Sequence, residues 1–368
     1  MRTRVWINAS LLRKKLLSLK IDWPAYRFPA EWESHEATWL AWPHNAETWP
    51  GLLEAVQETY LEMIRALLPG EKVYLVVKDC SAADEVKKKL RRAKLSSPNL
   101  KVVTIPNDDA WLRDSGPIFM LRKDSGKPQR VAHDFTFNSW GKKYGPWDKD
   151  DAIPLAACRL TETPCETHDF VLEGGSLDTD GLGTLLTTEQ CLLNPNRNAS
   201  FSRAEIEERL SHWLGIHKVI WLGEGLEGDD TDGHVDDLTR FLSPGVIATV
   251  VEPDSHDVNY APLADNRKRL SRAKDVRGQG FQIVELPMPP RADGPHHRNP
   301  ASHANFYIGN SAVLVPTFDS PTDARAVDLL RPHFPGRRVI GIDCRALVCG
   351  LGAIHCITQQ QPALPPLG

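Results

Sequence analysis

The stretch VIWLGEGLEGDDTDGHVDDLTRFLSPGVIATVV, residues 219–251, carries the pattern on which the fold turns. A β-branched apolar run enters a corner rich in glycine and aspartate, and a second apolar run leaves it, which reads as strand, turn, strand. The pattern recurs four times. KVVTIP from residue 101 leads through NDDAWLRDSGPIFM, FVLEGGSLDTDGLGTLLTTE begins at 170, FQIVELPM from 281 reaches ANFYIGNSAVLVP from 304, and VIGIDCRALVCGLGAIHCITQQQ begins at 339. One chemically capable residue sits in each corner, namely Asp114, Glu173, His234, Asn305 and Cys356, spaced 51 to 71 residues apart. Helix-like stretches fall at 52–68, 82–93, 202–214 and 322–330, with Ser202 as an N-cap ahead of Glu205. Strand, strand and helix repeated about five times predict an α/β fold built as a closed ring of five αβ blades with pseudo-fivefold repeats. In such a ring the corners meet, and residues far apart in sequence share one pocket.

Composition sets the outer bounds. The chain has 368 residues, 41% hydrophobic and 25% charged, which are ordinary values for a folded soluble protein. A net charge of -4 argues against nucleic acid or anionic membrane as a partner. No apolar run reaches the length of a membrane span. Seven widely spaced cysteines without a CxxC pair fit reduced thiols in the cytoplasm. Residues 1–22 are basic, with leucines near helical spacing, and read as an N-terminal extension or an organellar targeting segment; 23–368 read as a single domain.

Three corners hold chemistry. GDDTDGHVDD, from Gly228, matches neither a calcium loop nor a zinc helix. On a strand, His234 and Asp236 would share one face, which suits a general acid beside a carboxylate. In NDDAWLRDSGP, Trp111 lies among Asp108, Asp109 and Asp114. A solvated loop over one packed aromatic accounts for that equally well as a seat for a flat cation, which takes hydrogen bonds at its edge and stacking on its face. Cys356 in GLGAIHCITQQQP is a buried core thiol or a nucleophile, and the second role needs local activation, because about 3% of an ordinary thiol is ionised at pH 7. Cys344 and Cys349, flanked by apolar residues, read as core.

Several blocks, in order, carry a resemblance: AEWESHEATWLAWPHNAETWPG from residue 30, DDAWLRDSGPIF from 108, EGGS from 173 with LLTTEQCLLNPNRN from 185, DTDGHVDD from 230, NFY from 305 and GLGAIHCITQQQP from 350. Together they resemble the agmatine deiminases of the porphyromonas-type peptidyl-arginine deiminase family, within the guanidino-group modifying enzymes. The likeness implies a five-bladed, pentein-like αβ propeller with Cys356 as nucleophile, His234 as general acid and base, and Asp114 and Asp236 as guanidinium-binding carboxylates. It also places Trp111, Glu173 and His355 on the pocket wall, and the corner segments themselves supply Glu173, Asp109, Trp111 and Trp140 as the acids and aromatic faces that the amine of agmatine needs. The implied reaction is hydrolysis of agmatine to N-carbamoylputrescine and ammonia through a Cys356 thiouronium, in putrescine biosynthesis. It requires no cofactor and no metal, and a homodimer is the expected assembly. Deimination of free or peptidyl arginine, a Cys-His-Asp protease and an inactive propeller scaffold are the alternatives. Leu351 and Ala353 depart from the Gly-Gly-Gly-Asn run usual before the family's cysteine.

Overall fold

The computed structural model describes residues 26–124, 127–294 and 297–365. The basic N-terminal segment lies outside the described residues. The described strands form five sheets. Ile118–Asp124, Lys127–Thr136 and Cys165–Val171 make the first, with Tyr26–Arg27 on its edge. The next three each pair a short antiparallel hairpin with a parallel strand. They are Asp178–Thr179, Thr184–Thr188 and Lys218–Leu222; Thr239–Ser243, Val246–Val251 and Gln282–Pro287; and Tyr307–Ile308, Ala312–Thr317 and Arg338–Asp343. The fifth joins the two ends of the chain, because Thr358–Pro362 pairs antiparallel with His35–Ala41, which continues in parallel to Lys72–Val77 and Leu100–Thr104.

Each parallel step is crossed by a helix, as parallel pairing requires. Leu53–Leu67, Cys80–Arg92, Ile153–Thr161, Arg203–Leu214, Tyr260–Arg272 and Asp323–Leu330 serve these crossings. Ser202 caps its helix as expected, with a reciprocal bond from Glu205. The parallel strands are apolar on both faces, and Val73, Leu75, Ile247, Ala248, Val313 and Leu314 are completely buried beneath these helices.

The strand-corner-strand repeats prove not to be the folding units. Leu100–Thr104 ends one sheet and Ile118–Asp124 starts another, and the same holds at the other four corners. Every corner is therefore a crossing between sheets, and the repeating unit is a hairpin, a helix and a parallel strand. Periodicity within a strand cannot report which sheet the next strand joins, because the choice is made by contacts distant in sequence. An α/β architecture of repeated units is what the chain adopts.

Candidate active site

All five corners converge around Cys356, the one at residue 305 through the Asn305 side chain. Leu112–Ser115 is one helical turn, Gly174–Ser176 and Val235–Asp237 are 3-10 turns, and Leu347–Gly350 is another 3-10 turn leading to Cys356. His234 and Asp236 thus lie on a tight turn rather than a strand. The glycine- and aspartate-rich run cannot extend while Asp229 accepts the backbone N–H groups of Thr231 and His234, at 2.7 and 3.0 Å. Arg113 likewise lies in a helical turn, yet its side chain does point away from the cavity. It is buried among Glu31, Gln359 and Gln360, and its Nε donates to the His355 carbonyl.

A cavity of about 680 Å³ opens at this convergence, with Cys356, Asp114, Trp111, Asp109, Trp140 and Tyr144 in its wall. Two glycines are required there by close approach. A Cβ on Gly175 would stand 2.5 Å from His234 Nδ1 and 2.9 Å from Asp114 Oδ1, and one on Gly352 would stand 2.5 Å from the Trp111 ring. The same point lies 3.1 Å from the Cys356 Cβ, so the absence of a side chain at Gly352 lets the Trp111 ring and Cys356 share this part of the wall.

The polar arrangement is as follows. Asp114 accepts the Gly175 N–H on Oδ1 and the Trp140 indole N–H on Oδ2, both at 2.9 Å, and its Oδ1 faces His234 Nδ1 at 3.7 Å. Asp236 Oδ2 lies 2.6 Å from His355 Nδ1 and 3.9 Å from Cys356 Sγ. Asn305 donates from Nδ2 to Cys356 Sγ at 3.1 Å and to Asp237 at 2.9 Å, and its Oδ1 accepts the His355 N–H at 2.8 Å. Asp236 Oδ1, both ring nitrogens of His234 and Glu173 Oε2 are buried without a hydrogen-bond partner among the described residues. An unpaired buried polar atom costs about 1–3 kcal/mol, so their concentration at one point marks where a hydrogen-bonding ligand fits.

Electrostatics point the same way. Burial, followed by the Glu173 charge, pushes Asp114 up to about 7. Burial and then Asp114 push Asp236 well up, and Asp237 rises with it through burial and Asp236. Burial, followed by Asp236, Asp237 and Asp114, raises the Cys356 thiol, while burial holds His234 well below its ordinary value. A cation placed among these groups reverses the penalty on each acid and favours the thiolate.

Two predicted wall residues lie behind the wall. Glu173 is completely buried, with Arg197 Nε 2.6 Å from its carboxylate, and its ligating atom comes within 4.8 Å of His234. His355 bridges Asp236 and Glu31, the latter at 2.7 Å from Nε2. His234 and Asp236 are likewise absent from the cavity wall and reach it through Asp114, 3.7 Å from His234, and Cys356 Sγ, 3.9 Å from Asp236, an arrangement set by side-chain direction on a turn, which spacing does not carry. Cys349, read as core, is half-buried and lines the cavity, whereas Cys344 is in the core. Glu31 went unnoticed in the sequence. It joins His355, Arg113 at 3.3 Å and Arg240 at 2.9 Å, and although burial pushes its carboxyl up, Arg240 and His355 bring it well below the ordinary range. The one legible signal was Arg240, a lone charge inside the apolar run LTRFL, which has to find a buried partner.

Ligand-type atoms lie within 4.8 Å of one another in three groups among the described residues. His133, Glu166 and His168 form one away from the corners, and Glu173 with Cys191 and His234, and Asp236 with Asp237 and Cys356, form the others. The last shares Asp236, Asp237 and Cys356 with the acids raised by burial, so a metal there and an organic cation there predict opposite responses to a chelator.

The family profile that matches, over residues 27–362, is the Porphyromonas-type peptidyl-arginine deiminase. Agmatine deiminase of Pseudomonas aeruginosa (strain LESB58) is 37% identical over 361 residues, covering 92% of this chain and 96% of that protein. The structure of agmatine deiminase of Enterococcus faecalis superposes with a TM-score of 0.85 at 32% identity, covering 92% of this chain and 96% of that one. A cysteine-to-serine variant of C. jejuni agmatine deiminase with substrate bound gives 0.83 at 30% identity, covering 92% and 97%. A match across nearly the whole length, both to the family profile and to a relative at 37% identity, leads to one conclusion: the chain belongs to the Porphyromonas-type peptidyl-arginine deiminase family.

Proposed function

We propose that the protein is an agmatine deiminase, hydrolysing agmatine to N-carbamoylputrescine and ammonia. The observation that carries this reading is the buried group of Asp114, Asp236 and Asp237 around Cys356, raised in pKa and without a cation of its own at the thiol. A guanidinium supplies that cation, and its N–H groups answer the unpaired Asp236 Oδ1 and the remaining lone pairs of Asp114. Held there, its carbon stands against Cys356 Sγ.

With the guanidinium in place the Cys356 thiol gives its proton to His234, the thiolate adds to the carbon, and His234 passes that proton to one nitrogen, which leaves as ammonia. The thiouronium that remains takes water, whose proton passes to His234. Collapse of the second tetrahedral adduct breaks the C–S bond, giving the ureido product and the thiol. Asn305, donating to the sulfur, steadies the thiolate at each return.

The cavity wall favours an amine at the end of the substrate away from the guanidinium. Glu47, Asp108, Asp109, Asp150 and Asp230 line it with Trp140, Tyr144 and Trp147, against a single lysine, Lys78. Free arginine would bring a carboxylate to these acids. A panel of agmatine, free arginine and a blocked arginine peptide, assayed for ammonia and ureido product, tests the assignment: kcat/KM for agmatine should exceed the others at least a hundredfold. Comparable values for arginine reject the substrate, and turnover of none rejects the activity.

The five sheets and the five corners that join them support the finer architecture, a five-bladed propeller in one domain, with the shared terminal sheet as its closure. Seven free cysteines suit a reducing cytoplasm, and no helix among the described residues is long and apolar enough to cross a membrane. The family resemblance supports a homodimer, which light scattering tests.

A further inference from the structure

The segment 138–144 runs along the cavity in a conformation that L-residues avoid. Ser139, Trp140, Gly141 and Lys142 have φ of 54°, 54°, 91° and 67°, four consecutive left-handed residues of which one is glycine. In this hand Cβ crowds the following carbonyl oxygen, so such residues normally occur singly. Backbone strain of this kind persists where the surroundings over-determine it, and it collects at functional sites.

The surroundings here are specific. Asn138 Oδ1 accepts the Gly141 N–H at 2.8 Å, the Asn138 carbonyl accepts the Lys142 N–H at 2.7 Å, and Asn138 Nδ2 donates to the Asn196 carbonyl at 3.0 Å. Beyond the turn, Lys143 Nζ donates to Asp232 at 2.8 Å and Tyr144 donates to Asp230. Asp230 and Asp232 belong to the loop that ends in His234. From the turn itself, Trp140 sends its indole N–H inward to Asp114 Oδ2 at 2.9 Å, with its ring edge-on to Trp111 and Phe137. One strap therefore touches the guanidinium-side carboxylate and the loop of the proposed general acid.

We propose that Trp140 is a positioning residue for the Asp114 carboxylate, and that the left-handed turn 139–142 serves to deliver its indole N–H there. This rests on the reading of Asp114 as a guanidinium ligand. The Gly175 and Trp140 donors take one oxygen each and lock the carboxylate plane, leaving the outer lone pairs aimed into the cavity. Without the indole donor, Asp114 is held at one oxygen and turns about its terminal torsion, which is broad for a carboxylate. Asp114 would grip the guanidinium before and during the reaction, so the loss appears in binding and KM rather than kcat.

The test is calorimetric titration of agmatine into Cys356→Ala protein, with and without Trp140→Phe, which keeps a ring and removes the donor. Kd should rise about tenfold, the usual scale for one hydrogen bond to a charged group. In otherwise wild-type protein, Trp140→Phe should raise KM by the same factor with kcat retained, a split that loss of packing alone would not produce. An unchanged Kd in Trp140→Phe, while Asp114→Asn abolishes binding, overturns the role of Trp140 and leaves the function standing. Indifference to both substitutions overturns the ligand role of Asp114 and the proposal with it. Lys142→Gly, whose side chain touches neither ligand nor acid, should raise Tm at unchanged Kd, and a lowered Tm would refute a strained strap.

Discussion

Replacing Asp114 by asparagine separates what the site gives up in stability from what it gains in binding. The carboxyl is displaced from its ordinary 3.8 to about 7 by burial and then by Glu173. At about 1.4 kcal/mol per decade of pKa, that displacement corresponds to about 4 kcal/mol of destabilisation once the group is ionised. The sign follows from the direction. A carboxyl raised in the folded state binds its proton more tightly there than in the unfolded chain, so the penalty is absent below pH 4, grows between 4 and 7, and is complete above 7. Asparagine removes the charge but introduces a misfit, because both oxygens of Asp114 accept from donors, Gly175 N–H and Trp140 Nε1. Whichever position the NH2 takes opposes a donor, at a cost of about 1–3 kcal/mol. The variant should therefore be more stable than the parent by about 1–3 kcal/mol at pH 8, and less stable near pH 4, where only the misfit remains. Its kcat/KM should fall at least ten- to hundredfold, through loss of a charge-assisted bond worth about 1.5–3 kcal/mol. Urea denaturation at both pH values, beside an ammonia-release assay, gives the two readouts. A variant that is destabilised equally at pH 4 and 8, or that keeps parental kcat/KM, refutes the reasoning.

Cys356→Ala should abolish turnover, and intact-protein mass spectrometry of His234→Ala treated with agmatine should show an amidino adduct on Cys356; an adduct on Cys344 or Cys349 would overturn the assignment. Activity should survive dialysis against EDTA and disappear with iodoacetamide, whereas the reverse would establish a metal at Asp236, Asp237 and Cys356. Leu351 lines the cavity at φ of 70°, a left-handed conformation that disfavours its side chain, so Leu351→Gly should raise the urea midpoint by an equivalent of about 1 kcal/mol. No gain there would mean that packing of the leucine offsets its backbone strain.

Much of the site was legible because corners announce themselves. A corner between apolar strands has no reason to carry DDTDGHVDD or WLRD unless those charges meet something, and all four proposed catalytic residues came from such corners. The helix at Arg203–Leu214 was equally plain, since Ser202 and Glu205 form a local capping box. What failed was direction. His234 and Asp236 were placed on one face of a strand, whereas the backbone bonds accepted by Asp229 wind that segment into a turn. Glu173 and His355 were placed on the wall and stand behind it, because a turn of three or four residues fans its side chains in ways no period describes.

The sequence by itself left the helices Ile153–Thr161 and Tyr260–Arg272 unread, but it determined the α/β class, the repetition, the helices at Leu53–Leu67, Cys80–Arg92, Arg203–Leu214 and Asp323–Leu330, and the residue types collected at the corners. These follow from hydrophobic periodicity, capping and turn chemistry, all of which act over a few residues. Tertiary structure alone decided that each corner joins two sheets, that Glu31 from the chain's first described turn balances Arg113, Arg240 and His355, and that a left-handed turn at 139–142 brings Trp140 to Asp114. The physical reason is that burial and ion pairing are long-range. A carboxylate's pKa, or the tolerance of a strained φ, depends on groups tens to hundreds of residues away, and these become neighbours when the sheets assemble around the common cavity.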